Sequence, residues 1–149
     1  MPTTVAAAFI AVLVPFVAMP AQSLRLEIEV PPRVIAGDSV PITLRAINEG
    51  AGLLELYLTG RSVTFDVTVA DSTGRVVWRR LEGETVPAIL QVRILASGDS
   101  LQLEHAWDQR SNGGQAVEPG TYTVTGAIIT DGRPLRTPTA PLRIMPRER

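Results

Sequence analysis

Cysteine is absent from the 149 residues of this chain. Its absence excludes structural disulfides and a lipid anchor attached to a cysteine. It also removes the thiolate ligands on which most structural zinc sites depend. The fold must therefore be stabilised by its apolar core. A chain of this length can do so, because a domain of about 150 residues buries roughly two thirds of the surface that its unfolded form exposes.

Lysine is also absent, so all 14 basic residues are arginine. They are scattered along the sequence, and 15 acidic residues bring the net charge to −1. Nucleic-acid binding requires clustered basic residues, so this distribution argues against it. We interpret the arginine bias as codon usage in a GC-rich genome.

Charge is missing from residues 5–18, "VAAAFIAVLVPFVA". This run is shorter than the roughly 20 residues that span a bilayer, and it fits the apolar region of a secretory signal. The small residues of "AQS" predict cleavage after Ser23. We therefore expect a signal peptide over 1–23 and an exported protein, periplasmic or extracellular, with no membrane contact after cleavage. Because "MPTT" carries no positive charge, an uncleaved anchor or a displaced start stays open.

From residue 24 onward, apolar and polar residues alternate in short runs separated by turn signals every 8 to 12 residues. The pattern is clearest in "SVTFDVTV" (62–69), and it places Asp66 on the polar side. In "AILQVRIL" (88–95) it predicts that Leu90, Val92 and Ile94 face inward. Seven to nine such strands without a convincing helix indicate an antiparallel immunoglobulin-like β-sandwich, all-β, over residues 24–149.

A tyrosine follows the Pro-Gly step in "EPGTYTVTGAIIT" (118–130). In immunoglobulin-like sandwiches, a tyrosine near the start of a late strand sends its hydroxyl back to the backbone, and a buried half-cystine follows two residues later. Here Tyr122 occupies the corner position and Val124 the second. The sequence predicts a structural tyrosine corner without a disulfide.

Several short motifs occur along residues 40 to 130 in a fixed order. They are Phe65-Asp66, Asp71 with Gly74, Val77-Trp78-Arg79, Gly98-Asp99-Ser100, Trp107-Asp108 and Pro119-Gly120-Thr121-Tyr122. Together they resemble the BsuPI domain family of intracellular proteinase inhibitors. The resemblance implies a β-sandwich that binds a proteinase. The chain departs from the family at Arg80, where another aromatic is usual, and in its export signal.

No catalytic constellation is present, and we predict neither enzyme activity nor a cofactor. His105, the only histidine, shares a face with Leu101, Leu103 and Trp107, which favours a structural role. The two Gly-Asp-Ser steps are typical of turns. A calcium site formed by Asp66, Asp71 and Asp108 stays open as an alternative, because calcium takes six to eight oxygen ligands.

Three arginines are the candidate protein-binding residues. Arg79 and Arg80 lie at the end of a strand, and Arg110 lies in the loop 108–120, where an arginine would suit a trypsin-like specificity pocket. Trp78 and Trp107 are interpreted as core residues. Because Asn112-Gly113-Gly114 lies in its middle, the loop is predicted to be mobile in the free protein.

The leading hypothesis is an exported, non-enzymatic interaction domain that inhibits a serine protease by inserting a loop. The alternative is an accessory or structural module of the cell envelope that binds a protein partner without inhibition. A carbohydrate-binding sandwich is a third hypothesis, disfavoured because the chain has few aromatic residues, two Trp, two Tyr and three Phe. The sequence leaves the target and the oligomeric state open.

Overall fold

The computed structural model describes residues 24–149, and the predicted signal peptide lies outside the described residues. The described part contains eleven β-strands and no helix that is long and apolar enough to cross a membrane. The strands are β1 (Leu24–Glu29), β2 (Arg33–Ile35), β3 (Val40–Asn48), β4 (Leu54–Thr59), β5 (Phe65–Asp71), β6 (Val76–Arg79), β7 (Leu90–Leu95), β8 (Ser100–Trp107), β9 (Gly120–Ile128), β10 (Leu135–Arg136) and β11 (Ala140–Met145).

The strands form an immunoglobulin-like β-sandwich, as the sequence predicts. They number eleven where seven to nine were expected, and two of them, β2 and β10, have only three and two residues. One sheet has the order β1-β3-β8, and the facing sheet has the order β2-β11-β9-β5-β6 with β10 added to β9. Strands β4 and β7 form a two-stranded ribbon. Neighbouring strands are antiparallel except β2 and β11, which are parallel. The predicted hairpin of β5 and β6 is confirmed.

The core lies between the sheets and follows the period-two pattern of the sequence. In β3, Val40, Ile42, Leu44 and Ala46 are at most 1% exposed. Leu44 approaches β9 so closely that a Cβ on Gly126 would lie 2.4 Å from its side chain. A larger residue at position 126 would therefore force the Leu44 side chain to move.

The corner at Tyr122 is confirmed. The tyrosine is buried, and its hydroxyl donates a hydrogen bond to the carbonyl oxygen of Glu118, four residues upstream. Burial raises the pKa of the hydroxyl, and the nearby carboxylates of Asp71 and Glu118 add to the rise. Val124, two residues on, is fully buried, so an apolar contact fills the place of a half-cystine.

The predicted orientation of β7 is wrong. Leu90, Val92 and Ile94 face solvent, and the buried residue at the end of this strand is Leu95. Leu95 lies directly opposite Leu54 of β4. It therefore shares the inner face of the ribbon with the buried β4 residues Leu56 and Leu58. Periodicity identifies the alternation of a strand, but which of its faces is covered depends on pairing.

Candidate protein-binding surface

Strand β6 carries the first candidate residue, Arg79, at an exposed edge. Its side chain is half exposed, and its Nε donates a 2.6 Å hydrogen bond to the carboxylate of Asp66 on β5. This hydrogen bond and the negative charge of Asp66 raise the pKa of Arg79. Only part of the guanidinium is therefore free for a partner.

Asp66 is the acidic partner of this ion pair, and although the alternation places it on the polar side of β5, it is buried there. The residue is only 5% exposed. Its Oδ1 accepts hydrogen bonds from the backbone N–H groups of Val67 and Leu81, at 2.9 and 3.0 Å. A carboxylate that holds the chain on both sides of a turn can be buried, because each of its oxygens has a donor. The aspartate of the Phe-Asp motif thus has a structural role.

Arg80 is the turn residue that directly follows β6, and it has a different partner from Arg79. Its guanidinium lies 4.1 Å from the ring centroid of Phe65, and its Nη1 donates a 2.6 Å hydrogen bond to the carbonyl oxygen of Phe65. A cation over an aromatic ring is an attractive contact. Arg80 therefore packs on Phe65. It occupies the position at which the BsuPI family, which the sequence resembles, usually has an aromatic residue. It is held in the fold.

Arg110 lies at the base of the loop 108–120 and is exposed. Its backbone carbonyl accepts a 2.9 Å hydrogen bond from the indole Nε1 of Trp107, and it forms an isolated β-bridge with Ala116. Its guanidinium donates to the carbonyl oxygen of Gly114, 2.9 Å away. The loop is thus a short closed hairpin that displays Arg110 on its surface.

The mobility of this loop in the free protein stays a prediction, but the loop makes specific contacts with β6. Asn112 docks the loop on the free edge of β6: its Oδ1 accepts from the N–H of Arg79 at 2.8 Å, and its Nδ2 donates to the carbonyl of Arg79 at 2.9 Å. The backbone N–H of Asn112 also donates to the carbonyl of Val77 at 3.3 Å. The amide side chain pairs with both backbone groups of one residue, as a neighbouring strand would. These contacts join Arg79 to the loop that carries Arg110.

Gln109 holds the other end of the loop and is a residue that the sequence did not mark as a candidate. It is 2% exposed and has a left-handed backbone, with φ of 58°. Its side chain donates to the carbonyls of Ile35 and Asp38 and accepts from the N–H of Gly37. A glutamine in a polar loop gives no sequence signal for such a role, because its partners lie 71 to 74 residues away.

Three aromatic rings form a row beneath this loop. Trp78 stacks on His105 with ring centroids 5.4 Å apart, and on Trp107 with centroids 5.6 Å apart. Trp107 is 1% exposed, which confirms it as a core residue, whereas Trp78 is partly buried against the core. Burial lowers the pKa of His105, and the positive charge of Arg80 lowers it further.

A shallow cleft of about 580 Å³ opens between the loop and the β5–β6 turn. Tyr122, Val76 and Val77 line it together with Asp71 and Glu118. Asp71 accepts hydrogen bonds from the hydroxyl and N–H of Thr73, and the hydroxyl bond is the main reason that the pKa of its carboxyl is lowered. Since the cleft borders the docked loop, the two form one surface, which we call the β6–loop surface.

Residues 24–149 contain no group of three or more His, Asp or Glu residues placed to hold a metal ion. The three aspartates of the calcium alternative are engaged separately. Asp66 binds Arg79 and Leu81, Asp71 closes its own turn, and Asp108 accepts from the N–H of Arg110 at 3.1 Å. The described structure thus gives no support to a shared calcium site.

A comparison against known families agrees with the resemblance carried by the sequence motifs of residues 40 to 130. Residues 29–132 match the BsuPI family, described as "Intracellular proteinase inhibitor". The match covers more than half of the chain, and the chain therefore belongs to this family. Membership points to a non-enzymatic, inhibitor-like β-sandwich. No curated protein matched the sequence.

Solved structures show only distant similarity in fold. The chain is 13% identical to the alkylpurine DNA glycosylase AlkC of Pseudomonas fluorescens, with a TM-score of 0.45 and 82% of this chain and 30% of that one covered. It is 13% identical to a β-glucosidase of Listeria innocua, with a TM-score of 0.43 and coverages of 81% and 16%. The CARDB domain of a Pyrococcus furiosus protein in complex with di-metal ions is 12% identical, with a TM-score of 0.42 and coverages of 82% and 87%.

Proposed function

We propose that this protein is an exported inhibitor of a serine protease and that it binds the protease through the β6–loop surface. The supporting observation is that the family match includes the whole loop 108–120, and that this loop is held at its base by Gln109 and at its tip by Asn112. Export is part of the proposal and rests on the apolar run at residues 5–18.

Pre-organisation is the physical reason for choosing this loop. A flexible loop loses conformational freedom when it binds, and that loss reduces affinity. Here the hydrogen bonds of Asn112 and Gln109 fix the loop before any partner arrives. Arg110 is exposed on it, and the single bond of its guanidinium to Gly114 can be exchanged for a carboxylate in a specificity pocket. Arg79 borders the same surface, while Arg80 contributes by packing.

The test is a titration of the purified protein against a panel of serine proteases that includes trypsin-like enzymes. We expect dose-dependent inhibition of at least one protease, and we expect Arg110→Ala to weaken it at least tenfold. Arg136→Ala is the matched control, because Arg136 is also exposed but lies on β10. Inhibition should be unchanged in that variant.

Two outcomes would contradict the proposal. Cleavage of the domain without any loss of protease activity would show that it is a substrate. Inhibition that Arg110→Ala leaves intact would remove the assigned surface. If no protease is inhibited but an envelope protein binds the loop, the accessory module becomes the better assignment.

A further inference from the structure

The outer face of the β4–β7 ribbon is apolar and open to solvent. Leu90, Val92 and Ile94 are 56%, 48% and 58% exposed, and Tyr57, which pairs with Val92 across the ribbon, is 45% exposed. Three consecutive outward residues of one strand are thus large and aliphatic. A solvated strand normally carries polar residues on its outer face.

Strand β7 is also an unprotected edge. Among the described strands it pairs with β4 alone, and the ladder from Leu90 to Leu95 has no register shift. Proteins usually protect such an edge with a proline, a bulge or several charges, because free N–H and C=O groups recruit another strand. The strand "LQVRIL" has no proline and a single charge, Arg93.

We propose that β7 pairs antiparallel with β7 of a second copy of this chain, with Val92 on the two-fold axis. In that register Val92 faces Val92 of the second copy, and Leu90 faces Ile94 of the second copy. All three exposed aliphatic residues then meet an aliphatic partner. The assignment rests on β7 and is independent of the β6–loop surface.

Charge selects this register over its neighbours. With the axis at Val92, Arg93 faces the neutral Gln91 of the other copy. With the axis at Arg93, two guanidinium groups would face each other, and like charges directly opposite are destabilising. With the axis at Gln91, Ile94 would face Ala88, which precedes the strand. If the two-fold axis lay between two residues, an aliphatic residue of one copy would face Arg93 of the other copy. A shift of the pairing by one residue moves every side chain to the opposite face.

The paired ribbons would form a four-stranded sheet in the order β4-β7-β7-β4. A row of four side chains would cross it, from Tyr57 through the two Val92 residues to Tyr57 of the second copy. Only one strand and its flanking side chains meet, so the interface is small. Interfaces of that size hold weak, reversible complexes, and we therefore expect a dimer in the micromolar range.

Sedimentation of the full purified protein over a range from about 1 to 500 μM tests the association. We expect a concentration-dependent monomer–dimer equilibrium. Val92→Arg should weaken it at least tenfold by placing two arginines on the axis. Val76→Arg is the control, because Val76 is 52% exposed but lies on β6, and it should leave the equilibrium unchanged. A protein that is monomeric throughout, or a dimer that Val92→Arg leaves intact, would overturn the proposal.

Cysteine variants test the register, since the chain contains no cysteine of its own. Under mild oxidation Val92→Cys should form a disulfide-linked dimer. Arg93→Cys, whose partner would be Gln91, and Val76→Cys should form it far more slowly. Equal cross-linking at residues 92 and 93 would overturn the register.

A charge variant needs no cross-link and gives a change in the opposite direction. Gln91→Glu would place a carboxylate opposite Arg93 twice in each dimer, and we expect it to tighten the dimer several-fold. An unchanged or weaker dimer in this variant would count against the pairing even if Val92→Arg failed to fold.

Discussion

Individual buried polar residues fasten the ends and turns of this sandwich. Asn48, 2% exposed, donates to the carbonyls of Gly52 and Leu95 and accepts from the N–H of Gly50. Gln109 and Asp66 make comparable sets of bonds at other turns. Each satisfies backbone groups that would otherwise be buried without a partner, which is costly. These side chains tie together segments that disulfides often connect in cysteine-containing domains.

The tyrosine corner gives the first prediction. Tyr122→Phe removes the hydroxyl that donates to the carbonyl of Glu118, and we expect it to lower the free energy of unfolding by about 1 kcal/mol. Urea denaturation measures the change. Tyr57→Phe is the control, because the hydroxyl of Tyr57 bonds only an exposed carboxylate, that of Glu55, and it should leave stability unchanged. Equal stability of Tyr122→Phe and the wild type would contradict a structural role for the corner bond.

His105 gives a pH-dependent prediction. Burial and the charge of Arg80 lower its pKa below the ordinary value of 6.5, so between these two values the unfolded state binds more protons than the folded state. The contribution of the neutral His105 to the free energy of unfolding is fully present above pH 6.5. It is lost as the pH falls toward the lowered pKa. The free energy of unfolding should therefore decrease from pH 7.5 to 5.5. His105→Phe should remove most of that decrease, and an equally steep profile in the variant would contradict the assignment.

At the scale of elements, pairing determines which residues are available to a partner. The loop 108–120 extends the sheet beyond β6, because Asn112 bonds Arg79 as a strand residue would. Strand β7, in contrast, has no neighbour on its second edge among the described strands. The edge of β6 is covered by the chain's own loop, whereas the second edge of β7 is open among the described strands. This difference is why the two surfaces are assigned different partners.

Asn112→Ala tests the docking of the loop. It removes two hydrogen bonds to the backbone of Arg79, and we expect a loss of about 1 to 2 kcal/mol in the free energy of unfolding. Amide exchange at Arg79 should also become faster. Gln115→Ala is the control, since Gln115 contacts Ser111 through its backbone and should tolerate the change. Wild-type exchange at Arg79 in Asn112→Ala would show that the loop docks by other contacts.

At the scale of the whole molecule, the family and the predicted export differ in compartment. The family is described as intracellular, whereas the apolar run at residues 5–18 predicts secretion. The absence of cysteine is compatible with either compartment. An oxidising environment permits disulfides without requiring them. The proposed target therefore lies wherever the mature protein is released.

Processing of the N-terminus gives the prediction at this scale. We expect the protein recovered from the outside of the producing cell to begin at Leu24, because the small residues of "AQS" suit signal cleavage after Ser23. Intact-mass measurement and N-terminal sequencing of the released protein test it. Protein that stays in the cell with residues 1–23 attached would contradict export.

The sequence by itself determined most of the local structure: the longer strands, the β5–β6 hairpin and the corner at Tyr122. These depend on alternation and turn residues that lie close together in the chain. The ordered motifs also identified the family. Only the tertiary structure decided which face of β7 is covered, because that depends on its register with β4, which places Leu95 on the same buried face as Leu56 and Leu58.

The tertiary structure likewise decided which of the candidate arginines lie on one surface. The three arginines were chosen from the sequence as one group. Arg79 and Arg110 are joined through Asn112, but Arg80 packs on Phe65. The bond between Asn112 and Arg79 connects residues 33 apart. A local pattern does not contain such a contact, since it arises only when the sheets have assembled and brought the two segments together.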